Sequence, residues 1–180
     1  MSDPNMRFGK VMLLALVFLA VLATGCRHKP RVSPAASASC DLGGGKIIKT
    51  VYSRPGMKGR KIYGDLVPFG KVWRAGANEA TTFVTSSDLV IGGTTVPAGK
   101  YTIFTVPEPD KWTLIINKKT GEWGIPYKYE NDELARVGMK RSTLPVPVED
   151  FTIAYDKSPT GCTLRMDWET TRASADIRAK

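Results

Sequence analysis

From Ile47 onward the chain runs as short segments in which apolar and polar residues alternate, each closed by Gly, Pro, Asn or Asp. Alternation with period two sets every second side chain on one face, the pattern of a half-buried β-strand. The clearest runs are 47–52, 81–86, 100–106, 111–117, 151–155, 163–168 and 172–178. In KWTLIIN, Trp112, Leu114 and Ile116 share a face; in FTIAY, Phe151, Ile153 and Tyr155 do. Gly92-Gly93 and Pro107-Glu108-Pro109-Asp110 read as hairpin turns between neighbouring runs. No long helical period appears, and only Tyr129 to Val137 (YENDELARV) permits one or two helical turns. Roughly seven to nine short strands predict an all-β domain, a single antiparallel β-sandwich with a jelly roll as one form of it.

The N-terminus is of another kind. Arg7 and Lys10 precede the apolar run Val11 to Ala23, which ends at Thr24-Gly25-Cys26, the charged, apolar and small-residue order of a secretory signal. The run is short for a membrane span. Leu22-Ala23-Thr24-Gly25-Cys26 resembles the bacterial lipobox, which implies acylation of Cys26 and anchoring in a membrane; an ordinary cleaved signal or a single anchor is the alternative. Arg27 stands where an inner-membrane retention signal would have aspartate, so the expected location is the bacterial cell envelope, facing the periplasm or at the outer membrane. Residues 27–39 are basic, then rich in Pro, Ala and Ser, the composition of a flexible tether. The organisation expected is a signal at 1–25, lipidated cysteine and tether at 26–39, and one β-domain at 40–180.

The sole histidine, His28, falls in the tether. The domain then has no histidine, which excludes a Ser-His-Asp or Cys-His nucleophile and a His-ligated zinc or iron. No Asp-rich loop has the density of a calcium site, and neither a metal nor a cofactor is expected. With Cys26 lipidated, Cys40 and Cys162 remain as an even pair, which in an oxidising compartment invites a disulfide; two separate buried thiols are the alternative. The formal charge of +9 becomes +5 once Asp3, Arg7, Lys10, Arg27, Lys29 and Arg31 are set aside. No basic cluster alternates with aromatics as in a single-strand groove, so no nucleic-acid partner is expected. The basic tether beside an acyl anchor suits anionic lipid.

One stretch breaks the plain strand pattern. Gly70 to Thr82 (GKVWRAGANEATT) holds Trp73, Arg74, Asn78 and Glu79 close together among small residues that let the chain turn tightly. Arg74 offers a planar fork of donors for a carboxylate, phosphate or sulfate, Trp73 a flat surface, and Asn78 and Glu79 groups for hydroxyls. The same residues also suit a structural turn, with Trp73 plugging the sandwich, Arg74 and Glu79 as an internal ion pair and Asn78 capping the backbone. The loop SRPGMKGR at 53–60 precedes the motif, and its Arg54, Lys58 and Arg60 could converge with Arg74 on one anion or simply be solvated. Val67 to Gly70 reads as a turn with Phe69 packed into the core, and Trp123 as an edge plug or a sugar platform.

Tyr52-Ser53-Arg54-Pro55, Lys58-Gly59-Arg60, Leu66 to Thr81, Val96 to Tyr101 and Trp112 to Asn117 together resemble the signature of the bacterial domain-of-unknown-function family 2911, over about Ile47 to Trp168. The resemblance implies a secreted or envelope β-domain and no established activity. Three readings follow from the residues themselves. One is a lipoprotein domain binding a small polar or anionic ligand, or an envelope partner, through Arg54, Arg60, Trp73, Arg74, Asn78 and Glu79. A second is a carbohydrate-active hydrolase using Glu79 with Asp65 or Glu122 as an acid and base pair. The third is a structural envelope protein whose motif only holds the fold.

Overall fold

The computed structural model describes residues 31–180. The signal segment, the lipidation site Cys26, His28 and the first part of the tether lie outside the described residues. Strands β1 (Ala35–Asp41), β2 (Ile47–Ser53) and β3 (Thr81–Thr85) are followed by the short pair β4 (Leu89–Ile91) and β5 (Thr94–Val96). Then come β6 (Gly99–Pro107), β7 (Lys111–Asn117), and the long strands β8 (Glu133–Ser158) and β9 (Gly161–Ala179). All pairings are antiparallel, in one sheet of order β1-β2-β3-β6-β7-β8-β9-β4-β5. The fold is all-β, with the expected alternation: Trp112, Leu114 and Ile116 of β7 and Phe151 and Ile153 of β8 are buried.

The expected hairpin turns form where Gly92-Gly93 and Glu108 to Asp110 stand. Gly92 and Gly93 both take positive φ, 54° and 86°, as a two-residue turn between twisted strands demands. Glu108 N donates to Lys111 O at 3.0 Å to close the other.

The ladder between the long strands β8 and β9 is interrupted partway along. The register of their pairing shifts between Thr143 and Val148 and again before Thr152. Pro145 and Pro147 occupy this stretch, where a residue without an N–H can be tolerated because the ladder is interrupted. The first part of β8 pairs with β7, while its last part, from Thr152, pairs with the first part of β9 and comes to face β2. The hydroxyl of Tyr52 on β2 donates to Ile153 O at 3.2 Å and accepts from Ile153 N at 3.0 Å. Thr50 Oγ1 and the Tyr155 hydroxyl lie 2.5 Å apart. The Cys40–Cys162 disulfide links β1 to β9 with 6.6 Å between Cα atoms. These ties, between strands far apart in the sheet order, close it over one core that includes Ile48, Phe83, Leu114, Phe151, Leu164 and Trp168.

Two expectations are corrected. The first strand begins at Ala35, inside the stretch read as tether. Its inward positions are Ala36, Ala38 and Cys40, so the alternation is present but carried by side chains too small to register as an apolar run. Of the helix-permissive stretch 129–137, only Glu130–Asp132 is helical, as one 3-10 turn; from Glu133 the chain is strand, held by pairing with β7. Tertiary pairing overrides the weak local preference.

Candidate functional site

The loop from Arg54 to Ala80 leaves β2, crosses one end of the sheet and returns as β3. Its course is fixed by backbone contacts. Trp73 N donates to Thr105 O at 2.7 Å and Thr105 N to Trp73 O at 2.8 Å, so a one-residue bridge clamps the motif onto β6. Ala75 and Asn78 then adopt positive φ, 50° and 58°. Between them Gly76 (φ +148°) passes so close to β2 that a Cβ there would lie 2.9 Å from Ser53 O. Only glycine fits that crossing without a shift of backbone. Thr81 Oγ1 donates to Ala75 O at 2.7 Å and secures the turn from below.

This turn aims its side chains in different directions. Trp73 stacks on Trp168 with centroids 5.8 Å apart and planes within 16°, and meets Phe151 edge-on at 4.9 Å. Arg74 lies over the ring of Trp123, with Cζ 5.2 Å from the centroid, and its Nη1 donates to Trp123 O at 3.4 Å. Partial burial pulls the guanidinium's pKa down, and the field of Glu79 opposes that shift. An arginine so placed keeps its charge at any physiological pH. Trp123 is 55% exposed and so is not an edge plug; it is the platform under Arg74.

Trp73 and Trp168 form the floor of an open cleft of about 420 Å³, large enough for a small organic molecule. Lys58, Arg60 and Arg74 line it, Val67 and Ile125 supply apolar wall, and Gly56 and Gly76 bring main chain to its edge. Arg60 is held by its own loop: Nε donates to Met57 O at 2.9 Å and Nη2 to Gly56 O at 2.7 Å. Those bonds use two of its five donors and fix the plane of the guanidinium.

Of the six residues expected to bind, the cleft brings together Arg60, Trp73 and Arg74. Arg54 turns inward instead, donating to Phe151 O at 3.2 Å and Thr152 Oγ1 at 3.0 Å, and so joins β2 to β8. Asn78 Nδ2 donates to Ser33 O at 3.1 Å, which holds Val32 and Ser33 as part of the cleft wall without lining it itself. Glu79 is exposed and outside the lining. Asp65 and Glu122 are outside it too, and both carboxylate oxygens of Glu122 are buried with no hydrogen-bond partner among the described residues. Among the described residues, no carboxylate lines the cleft. Phe69, expected in the core, is 40% exposed and lies over Gly64, while its neighbour Val67 takes the core position at 4%.

Trp168, half of the floor, was not foreseen as a site residue. It lies 95 positions beyond Trp73 on β9, its indole N–H donating to Glu149 O at 3.0 Å, and nothing in the spacing announces that the two rings stack. Lys58, by contrast, belongs to the loop whose cations were expected to converge.

The model of the family described as "Protein of unknown function (DUF2911)" matches residues 33–177, most of the chain. The chain belongs to the DUF2911 family. The match starts at Ser33, the residue that Asn78 holds, and covers every residue of the cleft lining but Val32. No curated protein and no solved structure matches this DUF2911 chain.

Proposed function

We propose that this DUF2911 domain binds a small organic anion in the cleft above Trp73 and Trp168. The observation that carries the reading is the convergence of Lys58, Arg60 and Arg74 over a floor of two stacked indoles. Three cations in a partly apolar cleft favour a carboxylate, phosphate or sulfate, and the indoles favour a flat or apolar body attached to it. Because Arg60 and Arg74 are already held by carbonyls and by Trp123, little side-chain freedom would be lost on binding.

The reading includes a location. The signal pattern ending at Cys26 and the Cys40–Cys162 bridge support a lipid-anchored protein of the bacterial envelope, with the basic residues after Cys26 against anionic lipid and Arg27 favouring the outer membrane. A carbohydrate hydrolase has less support, since Glu79 does not line the cleft.

Thermal unfolding of the full-length protein with aromatic carboxylates, sugar phosphates and sulfate tests this. A ligand at about a hundredfold excess over its Kd stabilises the native state by about 2.7 kcal/mol. A midpoint raised by one class in wild type and unmoved in Arg74→Ala is the expected result. No shift with any anion, in a wild type that unfolds cooperatively, refutes the reading.

A further inference from the structure

Apolar side chains stand in water around the cleft. Of its lining, Val32 is 79% exposed, Leu66 45% and Ile125 42%, and next to the lining residue Arg74 the indole of Trp123 is 55% exposed. A small soluble anion held by Lys58, Arg60 and Arg74 would leave this rim in contact with water. Exposed apolar residues gathered at one place, rather than scattered singly, mark a surface that meets an apolar partner. The same opening therefore offers three cations and an apolar rim together.

The course of the chain supplies an independent observation. Val32 and Ser33 belong to the cleft wall, where the bond from Asn78 Nδ2 to Ser33 O holds them. Val32 follows Cys26 by six positions, and six residues reach at most about 20 Å even when fully extended. A compact domain the size of residues 31–180 has a radius of gyration of about 15 Å, and so measures roughly 40 Å across. An acyl anchor on Cys26 is thus too short a leash for the far side of the domain to reach the bilayer, whereas the cleft stands where the leash begins.

We propose that the cleft docks on the membrane and takes the phosphate of an anionic phospholipid, a reading that rests on the anion site proposed above and on acylation of Cys26. Arg60 and Arg74 offer planar sets of N–H donors to the phosphate oxygens, and Lys58 adds a third charge. Val32, Leu66 and Ile125 then meet the acyl esters, and the amphipathic indole of Trp123 sits at headgroup level, where tryptophan is favoured. Among the described residues no carboxylate lines the cleft to repel a phosphate; Glu149, whose side chain accepts the Lys58 N–H at 2.8 Å, is outside the lining. A zwitterionic headgroup brings an ammonium group that three cations repel, so the anionic lipid is preferred. Anchoring makes the encounter intramolecular, and even a weak site is filled at the local lipid concentration.

Tryptophan fluorescence tests this on the full-length protein, produced with its signal segment and reconstituted into vesicles of brominated phosphatidylcholine with or without added phosphatidylglycerol. Bromine quenches on contact, and Trp112 and Trp168 are each 1% exposed, so the quenched signal reports chiefly on Trp123. Quenching at least about twofold greater with phosphatidylglycerol is expected, as is its loss in Trp123→Phe. Lys58→Glu should remove most of that increase, whereas Lys100→Glu, the same change of charge at an exposed residue outside the cleft, should leave it. Equal quenching in the two vesicles, quenching that survives Trp123→Phe, or like behaviour of Lys58→Glu and Lys100→Glu overturns the proposal. Unfolding midpoints read with soluble anions and no vesicles keep the two readings apart. A midpoint raised by a soluble anion, without quenching that depends on phosphatidylglycerol, sinks the docking and keeps the anion site; absence of both effects sinks both.

Discussion

Reducing the Cys40–Cys162 bridge should destabilise the protein by an amount set by the chain between its ends. The two cysteines are 122 positions apart, and both are buried, Cys40 at 5% and Cys162 at 0% exposure. In the loop-entropy model, closing a loop of that length removes about 16 cal/mol/K from the unfolded chain, or about 5 kcal/mol at 25 °C. For a domain of this size each kcal/mol moves Tm by about 2 to 4 °C, so reduction should lower it by about 10 to 20 °C. The remaining contacts between the sheet's ends, Tyr52 with Ile153 and Thr50 with Tyr155, should keep the reduced protein folded at low temperature. Urea unfolding of oxidised and reduced wild type measures the difference, and the m-value should rise on reduction because the unfolded chain loses a crosslink and exposes more surface. Equal midpoints and equal m-values in the two states would refute a bridge that ties β1 to β9.

Three further expectations follow from single contacts. Gly76→Ala sets a Cβ against Ser53 O at 2.9 Å and at φ +148°, and should lower stability by about 1 to 3 kcal/mol in urea unfolding, whereas an unchanged midpoint would show that the loop crosses β2 differently. Tyr52→Phe leaves both Ile153 N and Ile153 O without their partner in the core and should lower stability by about 1 to 3 kcal/mol, with far-ultraviolet circular dichroism unchanged. Glu133 accepts two bonds from Arg136, at 2.7 and 2.8 Å, and one from the Tyr127 hydroxyl at 2.6 Å; the Arg136 bonds, foremost, hold its pKa below the ordinary value of 4.5. A depressed folded pKa means that the unfolded state binds the proton first, so this contribution is complete well above 4.5 and is lost as pH falls through the folded value. Urea midpoints measured from pH 7 downward should therefore fall less steeply between 4.5 and the folded value in Glu133→Gln than in wild type.

How much of this was legible in the sequence varies by residue. Strands such as Lys111 to Asn117 announce themselves, because large apolar side chains at alternate positions have one stable arrangement, a face against a core. Strand β1 does not: Ala36, Ala38 and Cys40 alternate, but the pattern is held in small side chains flanked by serine and proline, and the pairing with β2 that makes them a strand is a long-range fact. The interruption in the ladder of β8 and β9 is equally hidden, although Pro145 and Pro147 mark its place.

At the site, residue type was a fair guide to chemistry and a poor one to direction. Arg74 and Arg60 reach the cleft, while Arg54 and Asn78, equally suited to a ligand on paper, spend their donors on Phe151, Thr152 and Ser33. Those bonds replace water around groups that the loop's course covers, and the course is set by Gly76 and the Trp73 bridge rather than by the donors themselves. Glu79 looks like an acid-base residue in a string of letters; the turn at Asn78 carries it out of the cleft lining, and its field raises the pKa of Arg74.

The cleft can be interrogated most directly through its floor. The four tryptophans give four indole N–H resonances in a nitrogen-15 correlation spectrum, and their places differ: Trp73 and Trp168 form the floor, Trp123 carries Arg74, and Trp112 is buried in the core outside the cleft lining. Titrating the full-length protein with the anion that raises its unfolding midpoint should move the Trp73 and Trp168 signals together along one saturation curve, move Trp123 through Arg74, and leave Trp112 nearly in place. Signals of Trp73 and Trp168 that stay fixed while the anion saturates would contradict binding in the cleft.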